Sequence, residues 1–173
     1  MPRVTEINHI TLIVDQLEVA AEFYEKELGL TPLPAYKFDY PASFFKINET
    51  QQLHVTEWPD KPSYRGHVCL RVDDWQGAFE RFKELGIIDT TPWGKVRELP
   101  DGTFQMFIRD PSGNLVEISG APGSKVDRSI FATDELCQPS VGAYVSERDD
   151  ARGLQSEDAS LYHGKKTPGQ SSP

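Results

Sequence analysis

Apolar and polar positions in this chain switch twice between a two-residue period and a helical one. Over residues 8–14, Ile10, Leu12 and Val14 alternate with His9 and Thr11; over 66–72, Val68, Leu70 and Val72 alternate with His67, Cys69 and Arg71. Alternation of this kind predicts strands with one buried face. A helical stripe follows each strand: Leu17, Ala20, Ala21, Tyr24 and Leu28 in the first case, Trp75, Ala78, Phe79, Phe82 and Leu85 in the second. These stripes predict helices over 17–28 and 75–85, with Gly29 and Gly86 where a helix C-cap is expected. Three short strands complete each half, over 33–38, 42–48 and 51–57, then 94–99, 103–109 and 114–119. Asn48-Glu49-Thr50 and Asp110-Pro111-Ser112-Gly113 carry turn chemistry between the last two strands of each half.

The two halves are related in sequence as well as in pattern. Asn8-His9-Ile10-Thr11-Leu12-Ile13-Val14-Asp15 and Gly66-His67-Val68-Cys69-Leu70-Arg71-Val72-Asp73 share His, Leu, Val and Asp at a constant offset of 58 residues. Leu17 then falls on Trp75, Ala20 on Ala78 and Glu22 on Glu80; one residue is lost before Leu28-Gly29 meets Leu85-Gly86. A βαβββ unit used twice is therefore expected. The fold class is α+β, with paired half-open mixed sheets and helices on the outer face. The expected division is 1–58 for the first module, 59–65 for a linker, 66–120 for the second module and 121–173 for a C-terminal extension. In that extension Ala121–Ser124 reads as a linker and Val126–Cys137 as a short helix. The polar stretch from Ser146 onward is too poor in apolar residues to pack, so partial disorder is expected.

Composition narrows the classes of function. Formal net charge is −9, and no stripe of Lys and Arg with interleaved aromatics is present, which argues against nucleic acid as a partner. No apolar run is long enough to cross a bilayer, and no basic-then-apolar leader opens the chain, so a cytoplasmic protein without membrane contact is expected. The only cysteines are Cys69 and Cys137, which fits a reducing compartment.

The polar faces of the strands hold the candidate chemistry. If Ile10, Leu12, Val14, Leu53, Val55, Val68, Leu70, Val72, Val116 and Ile118 cover the helices, the opposite face carries His9, His54, His67 and Glu117. An ionised Glu among apolar strand residues costs several kcal/mol unless it is paired or metal-bound. Three imidazoles and a carboxylate suit one divalent metal ion, Zn²⁺, Fe²⁺, Ni²⁺ or Mn²⁺. The alternative is that His9 and His67 simply hydrogen-bond Glu117. Thr11, Cys69, Arg71 and Phe107 are candidates to line a substrate site; alternation puts Arg71 and Cys69 beside His67. For Cys69, a small strand residue is the plainer reading than a nucleophile. Lys46, Arg97 and Arg109 are further candidates for anion contacts, with ordinary surface or strand-edge charge as the plainer reading. Trp58, Trp93 and Phe45, with Phe107, could face an apolar or aromatic substrate, although aromatics in such strands are more often core.

The motifs Asn8-His9-Ile10-Thr11-Leu12, Phe23-Tyr24, Leu28-Gly29-Leu30, Gly66-His67-Val68 and Phe107-Ile108-Arg109-Asp110-Pro111-Ser112-Gly113-Asn114-Leu115-Val116-Glu117 resemble those of the vicinal oxygen chelate superfamily. That superfamily includes glyoxalase I, bleomycin-resistance proteins, fosfomycin-resistance transferases, methylmalonyl-CoA epimerases and type I extradiol dioxygenases. The resemblance covers about residues 5–120. It implies metal ligands on the first and last strands of each module, which His9, His54, His67 and Glu117 match. It implies a small-molecule substrate with two vicinal oxygens and glyoxalase-like lyase or isomerase chemistry through a metal-stabilised enediolate, with Glu117 or His54 as the base. The alternative it implies is Fe²⁺-dependent ring cleavage, with His54 as an acid–base group. Phe107 stands where ring-cleaving enzymes usually have Tyr, and Pro100–Met106 lacks the histidine they usually carry. His54 stands where glyoxalases usually have an acidic residue. A third expectation is a non-catalytic binding or resistance protein. The resemblance also implies that modules cover each other within one chain or across a homodimer. Exposed sheet edges favour the homodimer, in which His9 and His54 of one subunit join His67 and Glu117 of the other.

Overall fold

A computed structural model describes residues 7–35, 38–59, 66–91, 93–99 and 101–139. The chain divides into two compact units, Met1–Val68 with Ile108–Val116, and Cys69–Phe107 with Glu117–Pro173. In chain order the elements are β1 (His9–Val14), α1 (Leu17–Lys26), β2 (Thr31–Leu33), β3 (Ala42–Lys46), β4 (Gln52–Glu57), β5 (Val68–Val72), α2 (Trp75–Glu84), β6 (Arg97–Glu98), β7 (Phe104–Arg109), β8 (Leu115–Gly120) and α3 (Ile130–Thr133). They build two four-stranded sheets of the same order, β1-β4-β3-β2 and β5-β8-β7-β6. The repeat in sequence is thus a repeat in topology, and the α+β class with twofold βαβββ organisation stands.

In the first sheet β1 runs parallel to β4, with His9 opposite Gln52, Thr11 opposite His54 and Val14 opposite Glu57. β4 pairs antiparallel with β3, placing Phe44 opposite His54 and Phe45 opposite Leu53. The predicted alternation is met: Leu12, Val14, Leu53 and Val55 are buried, while His9 and Thr11 are exposed and His54 is half-buried. Tyr24 of α1 meets Phe45 with ring centroids 6.2 Å apart, so the helix covers the Phe45 and Leu53 face. His9, Thr11, Phe44 and His54 occupy the other face.

Local chemistry ends and begins the helices as the sequence asks. Gly29 and Gly86 sit at φ +65° and +67°, the left-handed conformation that stops a helix at little cost only in glycine. Asp74 caps α2, its side chain accepting from the Gly77 N–H at 3.0 Å. The α1 N-terminus has no side-chain cap of its own; the Leu17 N–H donates instead to Glu57 Oε2 at 2.8 Å.

The strand expected over 33–38 begins earlier and is confined to Thr31–Leu33, and residues 36–37 lie outside the described set. The helix expected over Val126–Cys137 is realised only as Ile130–Thr133. The reason lies in what this stretch does. Phe131 stacks on Phe104, with centroids 6.0 Å apart, and packs near Trp75. Val96 then bridges in parallel to Cys137, adding extended backbone beside β6. Arg128 forms a bidentate pair with Glu98 at 2.8 and 2.9 Å. Residues 121–139 therefore complete the second unit rather than trail from it. The linker expected over 59–65 and the polar stretch from Ser146 lie almost wholly outside the described residues.

The Asp110-Pro111-Ser112-Gly113 turn, together with Asn114, belongs to the first unit and is built around one carboxylate. Asp110 Oδ1 accepts from the Ser112 and Asn114 N–H groups at 3.0 and 2.7 Å. Its Oδ2 accepts from Tyr24 Oη at 3.0 Å and from Asn114 Nδ2 at 2.9 Å. Ser112 Oγ accepts from the Asp15 N–H at 2.9 Å, and Asn114 Nδ2 also donates to the Ile13 carbonyl at 2.9 Å. Burial first, then the Asp110 carboxylate, pushes the Tyr24 phenol far above its ordinary range, so it stays a donor. Removing a buried acceptor leaves several donors unsatisfied at about 1–3 kcal/mol each, while removing one donor costs about 1–2 kcal/mol. Urea unfolding is therefore expected to show Asp110→Ala losing about 3 kcal/mol or more and Tyr24→Phe about half of that. Equal, small losses for both would refute the central role of this carboxylate.

Candidate functional site

Each unit brings part of the candidate chemistry together. In the first, β1 and β4 set the His9 and His54 rings 4.3 Å apart, stacked with their planes 13° from parallel. Phe44 stacks on the far side of His54, with centroids 3.6 Å apart and planes 7° from parallel. A row of three rings thus crosses β1, β4 and β3, and the middle ring is fixed from both sides. His9 Nδ1 meets Asn8 Oδ1 at 2.9 Å, and His54 Nε2 meets Gln52 Oε1 at 3.0 Å. With amide oxygens as acceptors, these ring nitrogens donate, and neutral His54 then keeps the lone pair on Nδ1. Burial, then the neighbouring His9, lowers the pKa of His54 and favours its neutral form. His67 belongs to the first unit and lies just before β5, half-buried, with its Nδ1 enclosed by protein.

In the second unit Glu117 lies on β8 and is 4% exposed. Gln105 Nε2 on β7 donates to Glu117 Oε1 at 2.8 Å. Arg97 Nε on β6 donates to Gln105 Oε1 at 3.2 Å, and an Arg97 Nη2–H donates to the Trp93 carbonyl. Cys69 on β5 interacts with Glu117 and Ser119. The Cys69 side chain reaches solvent, yet it is flanked by enough protein that desolvation, followed by the Glu117 carboxylate, pushes the thiol up to about 12. Arg71, exposed on the same strand, opposes that rise. A thiol held this high is protonated at neutral pH and is a poor nucleophile.

The other sequence candidates are placed as follows. Phe107 is 3% exposed and lies against Trp93, with centroids 6.4 Å apart. Thr11 is exposed beside His54. Lys46 pairs with Glu49 at 2.6 Å, and Arg109 Nη1 donates to the Gly113 carbonyl at 2.8 Å, so both serve turns. Phe45 belongs to the helix side of its sheet, whereas Trp58 is 46% exposed and meets Tyr40. Sequence reasoning did not find Gln52 and Asn8 as partners of the imidazoles, nor Phe44 as the ring beneath His54. It read Arg97 as a strand-edge charge, whereas Arg97 is 4% exposed and bound to Gln105. The available signal was Gln105 itself, a polar residue inside the apolar run Phe104–Ile108, on the same face as Phe107.

The first unit thus brings His9 to His54, and the second brings Cys69 to Glu117. Taken within each unit, no group of three or more His, Cys, Asp or Glu side chains able to hold a metal ion occurs among the described residues. The donor types are nonetheless ones that divalent metal ions accept: imidazoles in the first unit, His54 among them biased to neutrality, and in the second unit a carboxylate whose oxygen accepts from an amide N–H. No helix among the described residues is long and apolar enough to cross a membrane.

Comparison with known proteins agrees with this architecture. The model of the Glyoxalase/Bleomycin resistance protein/Dioxygenase superfamily matches residues 6–118. Lactoylglutathione lyase of Neisseria meningitidis serogroup A is 30% identical over 122 residues, spanning 63% of this chain and 86% of that protein. The crystal structure of lactoylglutathione lyase from Agrobacterium tumefaciens superposes with a TM-score of 0.55 at 25% identity, covering 70% of this chain and 97% of that one. A mutant of the fosfomycin resistance protein FosX from Listeria monocytogenes, complexed with Mn(II) and a dihydroxypropylphosphonic acid, superposes with a TM-score of 0.56 at 17% identity, covering 69% and 94%; this second likeness speaks for the fold alone. With its repeated sheets, its paired histidines and a family match over residues 6–118, the chain belongs to the Glyoxalase/Bleomycin resistance protein/Dioxygenase superfamily.

Proposed function

We propose that this protein is a divalent-metal-dependent enzyme of the glyoxalase type, a lyase or isomerase acting on a small molecule with two vicinal oxygens. The observation that carries the reading is the His9–His54 pair, set side by side by the parallel β1–β4 register on the face away from α1. Similarity to lactoylglutathione lyases supports the reaction class. His9, His67 and Glu117 would hold the metal, with His54 as a fourth ligand. Zn²⁺, Fe²⁺, Ni²⁺ or Mn²⁺ suits such a donor set. When bound, the ion supplies Lewis-acid stabilisation of negative charge on adjacent substrate oxygens.

The chain's own groups account for the rest. The Glu117 carboxylate, or a neutral His54 released from or lying beside the metal, takes a proton from the carbon beside a substrate carbonyl and returns it to the neighbouring position. Phe44 and His9 hold the His54 ring plane, so that its lone pair keeps one direction. Gln105 holds one Glu117 oxygen as an acceptor. Arg71, Cys69, Thr11 and Phe107 are proposed to line the substrate site. In this reading Cys69 contributes shape and a hydrogen bond rather than a nucleophile.

A second reading gains from the His54 Nε2 contact with Gln52 at 3.0 Å, which already engages one ring nitrogen. It makes His54 a proton-transfer group beside the metal, as ring-cleaving dioxygenase chemistry would require. A homodimer in the cytoplasm, with subunits sharing their ligands, completes the proposal.

Purified protein is expected to hold about one metal ion per chain by elemental analysis, as for a single three- or four-ligand site, with Glu117→Ala losing most of it; equal metal in both proteins would exclude the site. His54→Ala is expected to abolish turnover of a hemithioacetal substrate. Unchanged metal content in that variant assigns proton transfer, and a severalfold loss assigns ligation. Light scattering at micromolar concentration is expected to give the mass of a dimer, and a monomer would contradict the shared-subunit arrangement.

A further inference from the structure

We infer that Gln105 is a positioning residue for Glu117, with Arg97 dictating which way its amide faces. The inference rests on the reading of Glu117 as a metal ligand and adds a residue to it. Gln105 interrupts a strand, Phe104–Arg109, whose neighbours Phe104, Met106 and Ile108 are all buried, and it is itself 5% exposed. A buried amide without partners costs several kcal/mol, so its retention inside an apolar strand needs its hydrogen bonds.

Those bonds form an ordered line across neighbouring strands. Arg97 on β6 stands in direct register with Gln105 on β7. Its guanidinium carries only donors, and Nε donates to Gln105 Oε1 at 3.2 Å. A carboxylate carries only acceptors, and Glu117 Oε1 receives the Gln105 Nε2–H at 2.8 Å. An amide between an obligate donor and an obligate acceptor has one orientation. Turning it over would set N–H against N–H and oxygen against oxygen. Arg97 is itself anchored to the Trp93 carbonyl. Gly94, at φ +88°, leaves room beside it: a Cβ there would come within 3.3 Å of Arg97 Nη2. The loop is thus shaped around the guanidinium, the guanidinium orients the amide, and the amide holds the carboxylate rotamer.

Hydrogen-bond partners that orient a metal ligand typically contribute 10- to 100-fold in metal affinity. The test is Co²⁺ affinity, titrated against a competing chelator, for wild type, Glu117→Ala, Gln105→Met and Gln105→Glu, with the melting temperature of each metal-free protein. Gln105→Met removes both bonds. Gln105→Glu keeps an acceptor for Arg97, and in its ionised form it has no hydrogen to donate to Glu117. Both Gln105 variants are expected to bind Co²⁺ about 10- to 100-fold more weakly than wild type. Metal-free Gln105→Glu is expected to stay folded at the assay temperature. If both Gln105 variants match wild type within twofold while Glu117→Ala loses binding, the positioning role is wrong and the ligand assignment stands. Weakening seen only in variants already unfolded at the assay temperature also overturns it. If wild type fails to bind Co²⁺, or Glu117→Ala binds it equally, both readings fall together.

Discussion

A strand presents alternate side chains to opposite faces, and everything chemical in this protein depends on that constraint. Once Leu12, Val14, Leu53 and Val55 are committed to the core, His9, Thr11 and His54 have only the other face left. A one-residue slip would bury the imidazoles under the helix and expose the leucines and valines, so the hydrophobic effect fixes the position of the polar groups. In-register parallel pairing then turns a sequence distance of 45 residues between His9 and His54 into a ring separation of 4.3 Å. Phe44, delivered by the antiparallel partner, limits the freedom of the middle ring.

The second organising feature is the use of buried carboxylates that are hydrogen-bonded rather than excluded. Asp110 holds a turn by accepting from backbone, amide and phenol donors, and its role is structural. Glu117 is as buried but sits in a different setting. Its contacts include an amide oriented by a guanidinium and a cysteine whose thiol it helps to keep protonated. A carboxylate arranged in this way is an acceptor held in a chosen direction. The Asp110 setting stabilises a fold; the Glu117 setting gives one carboxylate oxygen a fixed direction.

Much of this was legible in the sequence, for physical reasons that differ by element. The βαβββ repeat was visible because hydrophobic periodicity is set by burial, and burial is the strongest local signal a chain carries. Gly29 and Gly86 were legible as helix stops because their backbone conformation excludes most other residues. His9 and His54 were legible as neighbours on one face because polar residues on strands betray their face. Gln105, Gln52 and Arg97 were not, because an isolated polar residue says nothing about its partner until strand register is known. The short α3 was misjudged because Phe131 and Cys137 serve tertiary contacts with Phe104 and Val96, which override local helical pattern.

X-ray absorption at the zinc edge of the Zn²⁺-loaded protein measures the proposed ligand set directly. Imidazole scattering from two or three histidines, with nitrogen and oxygen neighbours at about 2.0–2.1 Å, is the expected result. A shell containing sulfur at about 2.3 Å, or one of oxygen alone without imidazole scattering, would contradict a metal held by His9, His67 and Glu117.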